Sequence, residues 1–138
     1  MNLNNELVLD INGLGIIMYS DYATSFIKEG EDYFYQNYQT PEQVLKHIIE
    51  GSIVGFCTSS PGRYILKLKT GYPSEENLNS YEFKLRLGIK ITDKRMYIRD
   101  LYDLMDWSSN CPINQCVELE NGFYHITLLG NTPKSGIL

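Results

Sequence analysis

The segment from Tyr81 to Thr92 alternates strictly between apolar and polar residues. Successive side chains of a β-strand point to opposite faces, so this pattern predicts a long strand with one apolar face and one cationic face. A strand of this kind is typical of an antiparallel sheet that packs on one side only. The apolar positions are Tyr81, Phe83, Leu85, Leu87, Ile89 and Ile91.

One helix is predicted, over about residues 41–50. Thr40 can cap a helix, Pro41 suits its first position, and Gln43 completes a capping box. Gly51 then ends the helix. Apolar side chains recur inside it at spacings of three and four residues, and we expect them to lie against the sheet. They are Val44, Leu45, Ile48 and Ile49.

Two Asn-Gly pairs predict tight hairpins, because Asn-Gly readily takes the positive φ angles of a type I′ turn. Asn12-Gly13 would pair the strand before it with the strand after it, placing Leu9 opposite Ile16. Asn121-Gly122 would pair its flanking strands in the same way, with Glu118 opposite His125.

Seven or so short strands, turns about every ten residues and one clear helix favour a mainly β fold. We expect a two-sheet antiparallel β-sandwich, with an open barrel as the alternative. At 138 residues the chain has the size of one domain, so residues 1–138 are expected to form a single β-sandwich domain. Residues 21–39 are expected to be an irregular connection, and residues 100–107 either strand or a short helix.

Composition predicts a soluble cytoplasmic protein. No run approaches the roughly 20 apolar residues that a membrane helix needs. No apolar leader stands at Met1 to Asp10, and three cysteines, an odd number, disfavour a secreted disulfide scaffold.

Few residues suggest metal binding or catalysis. Cys111, Cys116 and His125 offer three possible metal ligands, but a closed zinc site pairs two ligands with a second pair, which is missing here. His125 as a base would need a nucleophile or activated water, and the sequence nominates none. A Glu118–His125 contact is then an ordinary surface pair, and His47 is expected on the solvated side of its helix. We expect no cofactor, no metal and no catalytic residue.

The net charge of −5 is unevenly distributed. Formal charge is −6 over the first fifty residues, +4 over the next fifty and −3 over the rest. Nucleic-acid binding on strands asks for aromatic rings among the cations, whereas Tyr81 and Phe83 point away from them. We therefore expect no nucleic-acid partner. The strand cations are Lys67, Lys69, Lys84, Arg86 and Lys90.

Two acidic, aromatic segments are the candidate partner-binding surfaces. The chain holds 11 tyrosines, and tyrosine gives large contact area with few rotatable bonds. For the second segment, the alternatives to partner binding are a solvated acidic face and a partly buried core tryptophan. The first candidate set is Glu29, Glu31, Asp32, Tyr33 and Tyr35. The second set is Asp100, Asp103, Asp106 and Trp107.

The order of strands and turns from Gly51 to Gly130 resembles the ComJ family, small inhibitors of the DNA-entry nuclease of competent bacteria. The similar stretches are Gly51-Ser52-Ile53, Tyr64-Ile65-Leu66-Lys67-Leu68, Asn79-Ser80-Tyr81-Glu82 and the run from Glu118 to Thr127. This resemblance implies a compact β-rich protein without a cofactor that binds an enzyme stoichiometrically. Immunity proteins that neutralise bacterial toxins fit the same description.

The leading hypothesis is a non-catalytic inhibitor or immunity-type protein that binds and occludes a basic partner enzyme such as a nuclease or toxin. Complementary charge would speed the encounter, and aromatic anchors would slow release. The alternative is a β-sandwich that binds a small ligand, a sugar or a lipid, which would require a concave pocket lined by aromatic rings.

Overall fold

The computed structural model of the chain describes residues 4–58, 60–69, 71, 75–80 and 83–130. The fold is mainly β, with antiparallel pairing throughout the described strands and one main helix, as the sequence predicted. The strands are β1 (Asn4–Ile11), β2 (Gly15–Tyr19), β3 (Ile53–Cys57), β4 (Gly62–Lys69), β5 (Phe83–Ile91), β6 (Arg95–Asp100), β7 (Cys116–Glu118) and β8 (Gly122–Gly130). The helices are α1 (Tyr33–Asn37), α2 (Pro41–Glu50) and α3 (Glu75–Ser80), with 3₁₀ turns at Asp21–Ala23, Leu101–Met105 and Ile113–Gln115.

The strands form one four-stranded sheet, in the order β3-β2-β6-β7, and two pairs, β1-β4 and β5-β8. Strand β2 is buried over its whole length. Ile16 and Met18 join a core shared with the two strand pairs, while Ile17 and Tyr19 join a second core under the helices. The four-stranded sheet is therefore covered on both faces, which explains the unbroken apolar sequence of β2.

The long alternating strand is confirmed as β5. Leu87, Ile89 and Ile91 are buried, whereas Arg86 and Lys90 are exposed. Tyr81 and Glu82, which the pattern assigned to the same strand, lie outside the described residues, as do the side chains of Phe83 and Lys84.

A tight turn follows β5. Asp93 and Lys94 both have φ of 55°, and Thr92 bridges Arg95 across them. Positive φ at both central residues is the signature of a type I′ turn, here adopted without glycine. The turn carries the chain from the β5-β8 pair into the four-stranded sheet.

The hairpin predicted at Asn12-Gly13 is wrong. Strand β1 pairs with β4, so that Leu7 lies opposite Leu66, while β2 pairs with β3 and β6. The backbone N–H groups of Asn12 and Gly13 donate to the carboxylate of Asp100 at 2.7 and 3.3 Å. A distant side chain therefore holds this segment as a crossover between two sheets.

The hairpin predicted at Asn121-Gly122 is also wrong. Glu118 lies opposite Arg95 on β6, and His125 lies opposite Gly88 on β5. The side-chain oxygen of Asn121 accepts a 2.7 Å hydrogen bond from the backbone N–H of Lys94. Asn121 thus ties the corner between β7 and β8 to the neighbouring turn instead of closing a hairpin.

Helix α2 begins and ends as predicted. The hydroxyl of Thr40 accepts from the N–H of Gln43 at 3.2 Å, and the Gln43 side chain accepts from the N–H of Thr40 at 3.1 Å. Gly51 ends the helix with φ of 66°. Of the four apolar residues predicted to face the sheet, Val44 and Ile48 pack on the two cores, whereas the other two are exposed. The exposed pair is Leu45 (54%) and Ile49 (73%).

Replacing Thr40 by alanine is expected to lower the free energy of unfolding by about 1 kcal/mol, because the N–H of Gln43 loses its acceptor. Thr40→Ser keeps a hydroxyl at the cap and should lose much less. Urea denaturation of the three proteins checks this. Equal losses for the alanine and serine variants would show that the cap does not stabilise α2.

The connection before α2 is more regular than predicted. It contains the 3₁₀ turn Asp21–Ala23 and the short helix α1. Residues 100–107, left open between strand and helix, form the end of β6 followed by the 3₁₀ turn Leu101–Met105. None of the helices in the described part of the chain is both long and apolar enough to cross a membrane.

Candidate functional site

The two acidic segments meet at the surface. The backbone N–H of Gly30 donates to the carbonyl oxygen of Trp107 at 2.7 Å. The backbone N–H of Trp107 donates to the carbonyl oxygen of Glu31 at 3.0 Å. The N–H of Ser109 donates to Oε1 of Glu29, 80 positions away in sequence, at 2.7 Å. The sequence offered the two segments as alternative surfaces, whereas the structure joins them into one.

The solvent-facing part of this surface is an acidic ridge. Asp32 caps α1, where its Oδ1 accepts from the N–H of Tyr35 at 2.9 Å. The ring of Tyr35 is 68% exposed. Asp106 stands beside Gly30, at whose position a Cβ would lie 4.0 Å from the Asp106 carboxylate. The acidic ridge consists of Glu29, Glu31, Asp32, Tyr35 and Asp106.

Backbone and side-chain donors fix three of the four carboxylates of the ridge. Hydrogen bonds from the side chain and then the backbone of Ser109 hold the pKa of Glu29 below its usual value. Oε1 of Glu31 accepts from the N–H of Lys28 at 3.2 Å. Glu29 is therefore charged at neutral pH, and less side-chain freedom remains to be lost when a partner binds.

The other predicted contact residues are engaged within the fold. Trp107 is 3% exposed, and Tyr33 and Asp100 are also buried. Asp103 is partly buried beside Arg99. The partner-binding role of the whole predicted set stays a prediction, and the acidic ridge is the part of it that a partner can reach without opening the fold.

Asp100 anchors three backbone groups. Besides the N–H groups of Asn12 and Gly13, its carboxylate accepts from the N–H of Tyr102 at 3.0 Å. A buried carboxylate is tolerated only when hydrogen bonds replace the water that it loses. Asp100 thus fastens the β1–β2 crossover to the start of the 3₁₀ turn after β6.

Arg99 is buried under the second acidic segment. Its guanidinium donates to Asp103 at 2.9 Å, to the carbonyl oxygen of Ser108 at 2.7 Å and to the hydroxyl of Tyr19 at 3.3 Å. It also lies 4.6 Å from the ring centre of Trp107. Burial raises the pKa of Asp103, and Arg99 opposes that shift. These contacts stabilise the loop that carries Asp106 and reaches Ser109.

His47 is half-buried and bonded to Tyr33, whereas a solvated position was predicted. Its Nδ1 lies 2.7 Å from the carbonyl oxygen of Gln43, which can only accept, so Nδ1 carries the proton. In the neutral ring, Nε2 then accepts from the hydroxyl of Tyr33 at 2.7 Å. The ring also packs edge-on against Tyr38 at 4.9 Å between centres. His47 thereby links α2 to α1 beneath the ridge.

The candidate catalytic pair does not assemble. Glu118 and His125 are both exposed, and they lie on strands of different sheets. The predicted Glu118–His125 contact across a hairpin is therefore wrong. Neither side chain has the geometry of a base held beside a nucleophile.

The cysteines are free thiols. Burial raises the pKa of Cys111 to about 11, and burial also raises that of Cys116. A thiol with such a pKa is almost wholly protonated at neutral pH, and the thiolate is the reactive form. Within the described residues, no group of three or more His, Cys, Asp or Glu side chains is placed to hold a metal ion.

A cleft of about 260 Å³ lies beside the ridge. Ligand pockets usually run from about 300 to 1,000 Å³. The cleft is thus small, although three of its lining side chains are aromatic. Its lining residues are Tyr19, Asp21, Thr24, Ser25, Ile27, Tyr97, Trp107 and Ser109.

The fold is a mainly β antiparallel sandwich that is similar to two solved structures. One is described as crocagin biosynthetic gene J, with a TM-score of 0.62, 12% sequence identity, and coverage of 92% of this chain and 76% of that chain. The other is ComJ from Bacillus subtilis, an inhibitor of the DNA-degrading activity of NucA, with a TM-score of 0.56 and 16% identity. That alignment covers 94% of this chain and 84% of ComJ.

The resemblance to ComJ in the order of strands thus extends to the fold, including most of the first fifty residues. No protein-family model matches the sequence, and no curated protein matches it. At these levels of identity the likeness establishes shared architecture.

Sequence reasoning missed part of this surface. Ser109 supplies the donor that fixes Glu29, and Phe26, 63% exposed, packs edge-on against Tyr33 at 5.8 Å between centres. Nothing in the local sequence marks either residue, since their role depends on which loops meet. The acidic residues of the ridge and Tyr35 were visible in advance.

Proposed function

We propose that this chain is a non-catalytic inhibitor or immunity-type protein that binds and occludes a basic partner enzyme such as a nuclease or toxin. The acidic ridge is the proposed contact surface, with Tyr35 as its aromatic anchor. The chain acts as a single cytoplasmic domain without a cofactor.

The joining of the two acidic segments is the observation that carries this proposal. Four carboxylates, those of Glu29, Glu31, Asp32 and Asp106, share one surface with an exposed tyrosine. Charge complementarity chiefly raises the association rate with a partner of opposite charge, and a central aromatic side chain slows dissociation. The ridge therefore has the composition expected of a site that captures a basic enzyme.

The likeness to ComJ supports the same class of function. ComJ is an inhibitor of the DNA-degrading activity of NucA, and nearly all of this chain shares its fold. An enzyme that cleaves nucleic acid must attract phosphate, so its active site is commonly basic. An acidic surface can compete for such a site.

Neutralising the ridge is expected to slow partner binding by about tenfold or more at low salt. The variant Glu29→Gln, Asp32→Asn, Asp106→Asn removes three charges but keeps an oxygen acceptor at each position. The cap of α1 and the bond from Ser109 should survive. Association rates from biolayer interferometry, measured at several salt concentrations, check the prediction.

The matched control removes three charges elsewhere on the surface, with Glu42→Gln, Glu118→Gln and Glu120→Gln. Both triple variants have the same net charge, so net charge alone would slow them equally. Equal rates for the two variants would refute a specific role of the ridge.

The partner is to be sought in extracts of the source organism with the immobilised chain as bait. A retained enzyme is then purified and its activity titrated with the wild-type chain, with NucA as a further candidate target. We expect inhibition that is complete near a one-to-one ratio and that weakens in the ridge variant. Retention of proteins whose activity the chain never reduces would contradict an inhibitory function.

Binding of a small sugar is the second candidate, favoured by the aromatic lining of the 260 Å³ cleft. The rings of Tyr19 and Tyr97 stack there, with centres 5.4 Å apart. Trp107 is the chain's sole tryptophan, so its fluorescence reports occupancy of the cleft. No saturable change on titration with monosaccharides and disaccharides would count against this function.

A further inference from the structure

The outer face of the β5-β8 pair combines cations with aromatic rings. Across the two strands Lys90 lies opposite Phe123, Gly88 opposite His125, and Arg86 opposite Thr127. Arg86, Gly88 and Lys90 alternate with the buried Leu87, Ile89 and Ile91, so they and their partners on β8 share the side turned away from the core. The side chains of Arg86, Lys90, Phe123 and His125 are exposed.

Phe123 is seated on two glycines. A Cβ atom at Gly88 would come within 2.6 Å of its ring, and one at Gly51 within 2.9 Å. The ring therefore rests where only glycine leaves room, while 56% of the residue remains exposed. Such a ring is fixed in place before any ligand arrives.

Two further rings flank this position. His125 packs edge-on against Phe123, with ring centres 5.8 Å apart. The hydroxyl of Tyr22 donates to the carbonyl oxygen of Gly51 at 3.2 Å, and the Lys90 ammonium lies 5.6 Å from the centre of the Tyr22 ring. The Lys90 ammonium thus lies over the Tyr22 ring, and Lys90 is the cross-strand partner of Phe123.

The charge of this face differs from that of the ridge. Arg86 and Lys90 project from it, and none of the described outward side chains of β5 and β8 is acidic. Glu50 acts on Tyr22, whose pKa is raised by burial and then by that carboxylate, so it bounds the face on one side. The face is therefore suited to an anion that also carries planar groups.

We propose that the outer face of the β5-β8 pair binds short single-stranded nucleic acid. A base stacks on the open side of Phe123, and neighbouring phosphates lie against Lys90 and Arg86. Cations interleaved with pre-positioned rings are how sequence-tolerant single-strand sites are built. This site is separate from the acidic ridge, and it does not depend on the proposed inhibitory function.

The alternation in β5 argued against such a site, because it predicts that Tyr81 and Phe83 point away from the cations of their own strand. The pairing of β5 with β8 supplies rings from the other strand. Phe123 and His125 meet the requirement that β5 alone does not.

Fluorescence anisotropy with a labelled oligothymidylate of about ten nucleotides tests the proposal. We expect saturable binding at low salt that falls with salt at a logarithmic slope of about −1.4, the value for two phosphate contacts on a single strand. The double variant Arg86→Gln, Lys90→Gln should flatten this slope towards zero. Phe123→Leu keeps the glycines covered but removes the stacking face, and it should weaken binding by about fivefold or more.

There are two matched controls. One removes an aromatic residue from the acidic ridge, and the other replaces Phe123 by a different aromatic residue. Tyr35→Ala removes a similarly exposed ring from the ridge and should leave oligonucleotide binding unchanged, while Phe123→Trp should preserve it. No saturable binding overturns the proposal. So does equal binding of an abasic oligonucleotide, or equally tight competition by an acidic peptide, which would mark the face as a protein site.

Discussion

Asp100→Ala is expected to lower the free energy of unfolding by about 3 kcal/mol or more. The carboxylate accepts from the N–H groups of Asn12, Gly13 and Tyr102, and alanine leaves these donors without their partner. A hydrogen bond to a charged group contributes about 1.5–3 kcal/mol, and an unsatisfied buried donor costs about 1–3 kcal/mol. Urea denaturation monitored by circular dichroism measures the loss.

A graded series separates the hydrogen bonds from the charge. Asp100→Asn keeps one acceptor oxygen and presents a donor in place of the other, so its loss should fall between those of the wild type and the alanine variant. Asp106→Ala removes an exposed acid of the same segment and should change stability by less than about 0.5 kcal/mol. Similar losses for Asp100→Ala and Asp106→Ala would contradict the anchoring role of Asp100.

Arg99→Met is expected to cost about 3 kcal/mol at neutral pH. Removing one member of a buried ion pair usually costs about 3–5 kcal/mol because the other charge loses its partner. The lower end applies here, since the Asp103 side chain is 36% exposed and water screens part of the loss. Methionine fills much of the arginine volume, so the contact with Trp107 is largely replaced.

The cost of Arg99→Met should depend on pH. Burial raises the pKa of Asp103 in the folded protein, and Arg99 lowers it, so the variant's folded pKa rises further above the unfolded value. A folded pKa above the unfolded one penalises the ionised form, and that penalty grows as pH rises through the interval between them. The defect should therefore be smaller near pH 4 than at pH 7.

The double variant Arg99→Met, Asp103→Leu removes both members of the ion pair and tests whether the unpaired carboxylate causes the loss. Without the stranded carboxylate, much of the stability lost by Arg99→Met should return, and the extra pH dependence should disappear. A double variant no more stable than Arg99→Met would assign the loss to the bonds with Ser108 and Tyr19 instead.

Local features were predictable because short-range chemistry sets them. The alternation in β5 reflects a strand with one buried face, and the Thr40–Gln43 capping box needs only residues three positions apart. Leu45 and Ile49 were placed wrongly because helical spacing does not reveal how wide a stripe the cores can cover. His47 was misplaced because its partner Tyr33 lies on another helix, which helical spacing does not reveal.

Strand pairing was not predictable from the two Asn-Gly signals. A hairpin turn competes with any distant group that satisfies the same backbone donors, and the Asp100 carboxylate does this at Asn12 and Gly13. At the second signal the Asn121 side chain itself accepts from the backbone N–H of Lys94, which ties Asn121 to a neighbouring turn. The tight turn occurs instead at Asp93-Lys94, where neither residue is glycine.

The sequence by itself determined the long half-buried strand, the capped helix and the acidic character of the segments before and after them, because periodicity, caps and charge belong to neighbouring residues. The tertiary structure alone decided which surfaces these pieces make. Backbone bonds between Glu31 and Trp107 merge the acidic segments, and the β5-β8 pairing sets Phe123 beside Lys90. Both outcomes depend on contacts between residues far apart in the chain, whose energy no local pattern encodes.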